Sequence, residues 1–287
     1  MMHDLPPLEI CLAGLAYVES PRWHDGALWF SDFYTRQVMR LLPGRSPEVV
    51  CEVPGRPSGL GWLPDGRLLV VSMNDRRLLR LDPQGLVTVA DMSLHVPDPC
   101  NDMLVDPRGR AYIGNFGFDL QGHAPPVPTV LLMVTPAGEV SVAAEDVLFP
   151  NGTVLTPDGS TLIVAETFGQ CLTAFDVAVD GKLSNRRVWA KLSGRVVADG
   201  ICLDAEGAIW IASPVSREVL RVKEGGELTH RIATEDEAIA CALGGEDGRS
   251  LFVCTGSVFV TPEQSLAART GKIWQLKVDV PAAPHPL

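Results

Sequence analysis

Short apolar runs separated by turn residues dominate the pattern of hydrophobic and polar positions along the chain. In "VLTPDGSTLIV", apolar residues approach a Pro-Asp-Gly turn and a second apolar run leaves it. Runs of this length, bounded by Gly, Pro, Asp and Asn, are typical of β-strands, and helical periodicity is hard to find anywhere. The pattern therefore predicts an all-β protein that is built from hairpins.

One hairpin unit recurs six times along the chain, each time with a glycine in its turn. The copies are "PRWHDGALWF", "LGWLPDGRLLV", "MLVDPRGRAYI", "VLTPDGSTLIV", "ICLDAEGAIWI" and "LGGEDGRSLFV". The turn glycines are Gly26, Gly66, Gly109, Gly159, Gly207 and Gly248, with spacings of 40, 43, 50, 48 and 41 residues. Glycine suits such turns because it adopts positive φ without steric cost.

A second hairpin follows each of the first five copies, so each period supplies about four strands. Four-stranded units at this spacing are typical of a β-propeller. We therefore predict a six-bladed β-propeller of antiparallel blades that forms one domain over residues 1–287. The sixth blade has only "KIWQLKV" (272–278) after its first hairpin and lacks one strand. The N-terminal segment "LEICLAGL" (8–15) can supply it, so that strands from both chain ends share the last blade and close the ring.

Two periods are longer than the others. The segment "FGFDLQGHAPPVPT" (116–129) has three prolines and little strand pattern, which predicts an irregular loop, and loops of this length are often lids. The other excess lies in a long hairpin at 176–197.

Polar residues occupy matching positions at the start of the first strand in the repeats. Since the first strand of each propeller blade lines the central channel, these positions form one ring. Eight residues before the turn glycines of blades two to six stand Ser58, Asn101, Asn151, Asp199 and Ala240. In blade one, Glu19 stands seven residues before Gly26. The ring offers carboxylate and amide oxygens without His or Cys, which favours a hard divalent cation over a usual zinc site.

Local backbone geometry is the alternative explanation for these polar residues. Asn151-Gly152 and Asp199-Gly200 are also ordinary turn dipeptides, and Asn and Asp often stand at strand ends. The matched positions nevertheless favour the metal site. The second strand of each first hairpin returns to the same end of the channel. The residues predicted to flank the mouth there and to bind substrate are Met73, Asn115, Phe116 and Glu166, together with Asn101 and, beside it, Asp102.

Composition and charge narrow the function classes. The chain of 287 residues is 46% hydrophobic with a formal net charge of −11 and has no cluster of Lys and Arg. Nucleic acid and anionic membrane surfaces are therefore not expected as partners. No apolar run reaches 18 residues and the N-terminus lacks the pattern of a secretory signal. Seven scattered cysteines without C-x-x-C spacing predict buried reduced thiols in a cytoplasmic protein.

Five segments together resemble the gluconolactonase/regucalcin (senescence marker protein)/luciferin-regenerating enzyme family. They are "ESPRWH…LWFSD", "PSGLGWLPDGRLLV", "NDMLVDPRGRAYIGN", "FPNGTVLTPDG" and "ADGICLDAEGAIWIA", and the resemblance extends over about residues 14–278. It implies a six-bladed propeller that binds one divalent cation in its channel, and hydrolysis of sugar lactones by many members. It also implies that Glu19, Asn151 and Asp199 are the metal ligands and that Asn101 lies near substrate and metal.

One departure from the family pattern bears on the substrate. Gluconolactonase-like members often carry an Arg two residues before the Asn that matches Asn101, where it binds sugar hydroxyls. Here that position is Pro99, and Met73, Cys100, Phe116 and others surround it. We therefore expect a lactone or ester that is less polar than a sugar aldonolactone.

These observations lead to a hydrolase hypothesis with rivals from other classes. A divalent cation would assist hydrolysis of a small-molecule lactone or ester, with Ca²⁺ favoured and Mg²⁺, Mn²⁺, Fe²⁺ or Zn²⁺ as alternatives. Asp199 is the candidate catalytic residue, either as general base or as ligand only. The rivals are organophosphate or other ester hydrolysis, a hydration reaction, and a non-catalytic calcium-binding propeller. A scaffold for protein interactions would not need matched acids and amides in the channel.

Overall fold

The strands of the computed structural model, which describes residues 5–258 and 260–284, form six four-stranded antiparallel sheets. The sheets are arranged as blades around a ring, because the first strand of each blade packs against the first strands of both neighbouring blades. The predicted six-bladed β-propeller of four-stranded blades is thus confirmed.

The bounds of the strands follow the repeat. Blade 1 contains β2 (Val18–His24), β3 (Ala27–Asp32), β4 (Gln37–Leu41) and β5 (Glu48–Glu52). Blade 2 contains β6 (Pro57–Trp62), β7 (Leu68–Ser72), β8 (Arg77–Asp82) and β9 (Gly85–Asp91). Blade 3 contains β10 (Cys100–Val105), β11 (Ala111–Asn115), β12 (Thr129–Val134) and β13 (Val140–Val147).

The remaining blades use the rest of the chain and its first strand. Blade 4 contains β14 (Pro150–Leu155), β15 (Thr161–Glu166), β16 (Cys171–Val177) and β17 (Leu183–Lys191). Blade 5 contains β18 (Ile201–Leu203), β19 (Ile209–Ser213), β20 (Glu218–Val222) and β21 (Leu228–Ala233). Blade 6 contains β22 (Glu237–Gly244), β23 (Ser250–Gly256), β24 (Gly271–Lys277) and β1 (Glu9–Leu15).

Strands from the two ends of the chain close the ring. The N-terminal β1 is the outermost strand of blade 6 and pairs antiparallel with β24, with Glu9 opposite Gln275 and Leu15 opposite Gly271. The predicted sharing of the last blade is therefore confirmed. The pairing leaves no unmatched strand in blade 6 and ties the start of the chain to its end.

The hydrophobic core lies between neighbouring blades. Inner strands such as β14 and β22 are buried along their whole length, whereas most residues of the outer strands β5 and β17 are exposed or only partly buried. Val154 and Ile163 of blade 4, for example, pack in one cluster with Ile201 and Ile211 of blade 5. Each inner strand is thus covered on both faces, which explains the near-continuous apolar runs in the sequence.

One short helix, α1 (Pro262–Ala268), was not predicted from the sequence. Thr261 caps it, since its hydroxyl accepts from the Gln264 amide and the Gln264 side chain accepts from the Thr261 amide. The Ser265 hydroxyl donates to the Ala16 carbonyl at 2.7 Å, which holds the helix beside the start of blade 1. No helix in the described part of the chain is both long and apolar enough to span a bilayer.

Candidate metal centre

The residues predicted to form a ring all lie buried at one end of the inner strands. They are Glu19, Ser58, Asn101, Asn151, Asp199 and Ala240, none of which is more than 8% exposed. Four of them fall within the first two residues of β2, β6, β10 and β14, and Asp199 stands two residues before β18. Since the inner strands neighbour one another around the ring, this end of the channel presents carboxylate, amide and hydroxyl groups.

Glycines that follow these residues allow neighbouring inner strands to approach closely. A methyl group on Gly152 would lie 2.5 Å from the amide nitrogen of Ile201 and 2.7 Å from the carbonyl oxygen of Asp199. The Gly152 amide donates to that same carbonyl at 3.2 Å, which joins blades 4 and 5. Asn151-Gly152 therefore lies inside strand β14 and forms an inter-blade contact rather than a turn.

A strained backbone residue precedes a proline in three of the segments that lead into the channel. Ser20, Arg56 and Phe149 have φ of 49°, 70° and 55° and stand before Pro21, Pro57 and Pro150. Non-glycine residues rarely adopt positive φ, and they do so mainly where the surrounding structure holds them. At Ser20 the conformation brings its amide to the Glu19 carboxylate, which accepts at 3.0 Å. The local strain thus contributes to the placement of Glu19.

The two predicted carboxylate ligands repel each other. Burial is the main factor that raises the pKa of Glu19 well above its ordinary value, and the charges of Asp199 and Asp102 raise it further. Burial also raises the pKa of Asp199, against the opposing effect of a hydrogen bond from the Asn151 side chain. Burial and neighbouring charge therefore disfavour the ionised forms of both carboxylates, and a bound cation would offset that cost.

Asp102 has a cationic partner of its own. Its Oδ1 accepts from Arg22 Nη2 at 2.6 Å, from the Met103 amide at 2.9 Å and from the Ser20 hydroxyl at 3.3 Å. Arg22 also donates to the Met103 carbonyl at 2.9 Å, so this partly buried pair connects blades 1 and 3. Asp102 therefore faces blade 1, and Arg22 offsets part of the effect that the Asp102 charge has on Glu19.

The two asparagines of the ring are held by hydroxyl groups from their surroundings. The Ser58 hydroxyl donates to Asn101 Oδ1 at 3.3 Å. The Asn151 amide donates to the Thr167 hydroxyl at 3.3 Å, and that hydroxyl donates in turn to the Ala198 carbonyl at 2.7 Å. The Asn151 amide nitrogen therefore donates to both Thr167 and Asp199, and Oδ1 is the atom that Asn151 would offer to a cation.

The structure places Asn115 and Glu166 in hydrogen-bond networks that hold loops and strands. Asn115 donates to the Val130 carbonyl at 2.6 Å and accepts from the Thr129 hydroxyl at 2.7 Å, so both ends of its amide clamp the base of the 116–128 loop. Glu166 accepts from Thr173 Oγ1 and from the Leu148 amide, and pairs with Arg186 at 2.9 Å. These contacts occupy polar groups that were predicted to face substrate.

Met73 and Phe116 lie against the segment that precedes Asn101. The Met73 carbonyl accepts from the Cys100 amide at 3.2 Å, and the Phe116 amide donates to the Pro99 carbonyl at 3.0 Å. Met73 is buried, whereas Phe116 is only partly covered and stacks on Phe149 with a centroid separation of 4.8 Å. Both predicted residues therefore lie beside the Asn101 side of the channel mouth.

Three residues near the centre were not selected from the sequence. Arg22 supplies the partly buried cation opposite Asp102, and Thr167 orients Asn151. Tyr17 is the third residue. Burial is the main factor that raises the pKa of its hydroxyl, and the charges of Glu19 and Asp199 raise it further. Only Thr167 carried a usable signal, since it stands at the mouth end of a second strand. Arg22 and Tyr17 become functional candidates only through contacts between distant segments.

The donor set fits a hard divalent cation. Among the described residues, no Lys, Arg or His forms an ion pair with Glu19 or Asp199, and Asn151 adds an uncharged oxygen. Two carboxylates and an amide oxygen are ligands that Ca²⁺ prefers. No three His, Cys, Asp or Glu side chains in the described part of the chain are grouped so that they alone could hold a metal. The predicted ligands Glu19, Asp199 and Asn151 are not a group of that kind, because the third ligand is an amide side chain.

Comparisons with known proteins agree with the fold. Regucalcin of Xenopus laevis is 27% identical over 249 residues, which cover 82% of this chain and 81% of that protein. A luciferin-regenerating enzyme has a similar structure, with a TM-score of 0.82 at 18% identity over 98% of this chain and 100% of that one. A calcium-binding protein, regucalcin, from Agrobacterium tumefaciens also has a TM-score of 0.82, at 22% identity over 99% of this chain and 97% of that one.

The family assignment rests on a match over most of the chain. The model of the SMP-30/Gluconolactonase/LRE-like region matches residues 17–257, from the segment before Glu19 to the end of the first hairpin of blade 6. The matched range includes every residue of the candidate metal centre. The protein therefore belongs to the SMP-30/gluconolactonase/LRE-like family.

Proposed function

We propose that the protein is a hydrolase that opens lactone rings with the help of one divalent cation. The observation that carries this proposal is the buried placement of Glu19 and Asp199 at one end of the channel, without an ion-pair partner among the described residues and beside Asn151. Family membership supports a lactone as the substrate class. Ca²⁺ is favoured because all three ligands are oxygens, with Mg²⁺, Mn²⁺, Fe²⁺ and Zn²⁺ as alternatives.

In the proposed reaction, Asn101 orients the substrate and Asp199 accepts a proton. Glu19, Asn151 and Asp199 would hold the cation, which would supply Lewis-acid polarisation of the lactone carbonyl and charge stabilisation of the oxyanion. Asn101 orients the substrate, since Ser58 engages its carbonyl end and its amide N–H₂ end can donate to a substrate oxygen. Asp199 accepts the proton of the attacking water. Water adds to the carbonyl carbon, the ring C–O bond breaks, and the proton passes to the leaving alkoxide to give a hydroxy acid.

The substrate is proposed to be less polar than a sugar aldonolactone. Pro99 stands where the family pattern often has an arginine for sugar hydroxyls, and proline offers no side-chain donor. Its carbonyl is already used by the Phe116 amide. Sugar hydroxyls that lost water here would find few partners, which is costly for polar groups.

Metal analysis followed by a lactone screen tests the proposal. The purified protein is analysed for bound metals, and acid release from a panel of lactones is titrated at constant pH with and without a chelator. We expect one bound divalent cation per chain, and turnover that the chelator abolishes and added Ca²⁺ restores. Turnover of organophosphates, other esters or enols with no lactone turnover would contradict the lactonase assignment.

An Asp199→Asn variant tests the proton acceptor. Asparagine keeps an oxygen for the cation but cannot accept the proton, so we expect retained metal and turnover reduced by about 10²–10⁴-fold. Asp247→Asn, at an exposed turn that pairs with Lys277, is the matched control and should keep full turnover. Near-normal turnover of Asp199→Asn with metal bound would leave Asp199 as a ligand only.

A non-catalytic calcium-binding propeller is the second candidate. It is favoured by the structural similarity to the Agrobacterium tumefaciens regucalcin, which is described as a calcium-binding protein. It predicts bound Ca²⁺ without turnover in the same screen. A cytoplasmic location is proposed as well, supported by seven cysteines that form no disulfide.

A further inference from the structure

Four phenylalanines form an aromatic wall beside the candidate metal centre. Phe149 stacks on Phe116 at 4.8 Å between ring centroids, and Phe118 lies 5.8 Å from Phe149. Phe168 meets both Phe118 and Phe149 edge-on at 5.3 Å. We call these four residues the phenylalanine cluster. Such stacked and edge-to-face contacts stabilise a fixed arrangement of rings.

The phenylalanine cluster is continuous with the residues that would hold cation and substrate. Phe149 stands two residues before Asn151, and its carbonyl accepts from the amide of Thr167 at 3.3 Å. Phe168 directly follows Thr167, whose hydroxyl orients Asn151. Phe116 bonds to the carbonyl of Pro99, two residues before Asn101. The cluster therefore flanks the side of the channel formed by blades 3 and 4.

The loop that carries Phe116 and Phe118 is held in place by its own contacts. Asn115 clamps its base to Thr129 and Val130. Farther along, Asp119 accepts from the Gly122 amide at 2.8 Å through its side chain and from the Ala124 amide at 3.0 Å through its carbonyl. The rings are thus presented on a preorganised support, which lowers the entropy cost of binding a ligand.

Phe168 is the most exposed member of the cluster. Phe149 and Phe118 are each 6% exposed, but Phe168 is 41% exposed. No member of the cluster carries a charge or a hydrogen-bonding side chain, so the wall favours an apolar group over hydroxyls. An exposed aromatic ring beside a polar centre is typical of a binding site in which a few polar groups fix the orientation.

We infer that the phenylalanine cluster binds an alkyl or aryl substituent on the lactone ring. This inference rests on the proposed lactonase function and assigns its substrate class. The cation and Asn101 hold the ester group at the channel, and the substituent extends across blade 4 onto the face of Phe168. The substrate is therefore a lactone with a medium-length alkyl chain or an aromatic ring rather than a polyhydroxylated one.

The test compares two lactones in variants at Phe168. The ratio of kcat/KM for γ-nonalactone, which has a pentyl side chain, to that for γ-butyrolactone, which has none, is measured in wild type and in Phe168→Ala and Phe168→Leu. We expect wild type to prefer γ-nonalactone, the ratio to fall about tenfold in Phe168→Ala, mainly through KM, and less in Phe168→Leu. Leu228→Ala removes a similarly exposed apolar side chain (37%) in blade 5 and is the control with an unchanged ratio.

The outcomes separate this inference from the proposed function. An unchanged ratio in Phe168→Ala, or faster wild-type turnover of gluconolactone than of γ-nonalactone, would overturn the role of the cluster. If neither lactone is hydrolysed, the lactonase assignment fails. Calorimetric binding of γ-nonalactone then tests whether the phenylalanine cluster binds the alkyl substituent. Weaker binding to Phe168→Ala than to wild type supports it, and equal or undetectable binding to both overturns it. Melting temperatures confirm that each variant is folded.

Discussion

The close contact at Gly152 yields a sharp prediction about the metal centre. In Gly152→Ala, the added methyl group meets the backbone of blade 5 at the nitrogen of Ile201 (2.5 Å) and the carbonyl oxygen of Asp199 (2.7 Å). Neither atom belongs to a flexible side chain that could turn away. The substitution must therefore move the backbone that carries Asp199 away from the strand that carries Asn151.

The size of the effect follows from these distances. Ordinary contact for a methyl carbon begins at 3.4 Å, so the strands must separate by about 0.9 Å. Overpacking of this kind costs about 1–3 kcal/mol. With an unfolding entropy of about 2.1 cal/mol/K per residue, a chain of this length should lose about 2–5 °C in melting temperature. Calcium affinity should fall by about tenfold or more, because two ligands no longer share one geometry.

Differential scanning calorimetry and calcium titration calorimetry measure the two effects. Gly256→Ala is a matched control, because its methyl group would lie at ordinary distances of 3.4 Å from Ile239 and 3.6 Å from Gly271. That control should keep wild-type stability and calcium affinity. If Gly152→Ala has the same melting temperature and calcium affinity as wild type, the close contact between blades 4 and 5 does not require glycine at this position.

Two further predictions concern the ligand amide and the cysteines. Asn151→Ala should weaken calcium binding by about 10–100-fold, and it should reduce the stabilisation of about 2.7 kcal/mol that wild type gains at a hundredfold excess of calcium over Kd. Unchanged affinity, measured by the same titration, would contradict the role of Asn151 as a ligand. Burial raises the pKa of the Cys51 thiol to about 11 and that of the Cys100 thiol to about 12. Less than about 1% of either thiol is then ionised at pH 8, so iodoacetamide should leave both unmodified in the native protein, and peptide mass spectrometry that finds rapid alkylation would contradict this.

The repeat explains why so much of the fold was predictable. Six turn glycines at regular spacing fix the blades, and the short sixth period identifies the missing strand that β1 supplies. The same register places Asn151 and Asp199 at equivalent positions and Glu19 within one residue of that position, and side chains at the start of inner strands share one end of the channel. These conclusions depend only on local patterns and their repetition.

The contacts that involve segments far apart in sequence could not be predicted. Arg22 pairs with Asp102 across 80 residues, and no local pattern announces that partner. Asn115 and Glu166 stand at the predicted end of their strands, yet their side chains turn to nearby loop groups and to Arg186.

Helix α1 could not be predicted from hydrophobic periodicity, because it is only seven residues long. Its capping box is a stronger sequence signal for the helix than its periodicity.

The closure of blade 6 by β1 has a consequence for how the protein is made. Strand β1 can pair only after β24, near the C-terminus, has been synthesised. The same holds for the hydrogen bond from Ser265 to the Ala16 carbonyl, which spans 249 residues. During synthesis from the N-terminus, Glu19 is therefore made early, whereas the ring that surrounds it closes only when the chain is almost complete. Pairings this distant in sequence form slowly, because a long loop must be ordered first. Calcium binding should then serve as a late marker of ring closure during refolding.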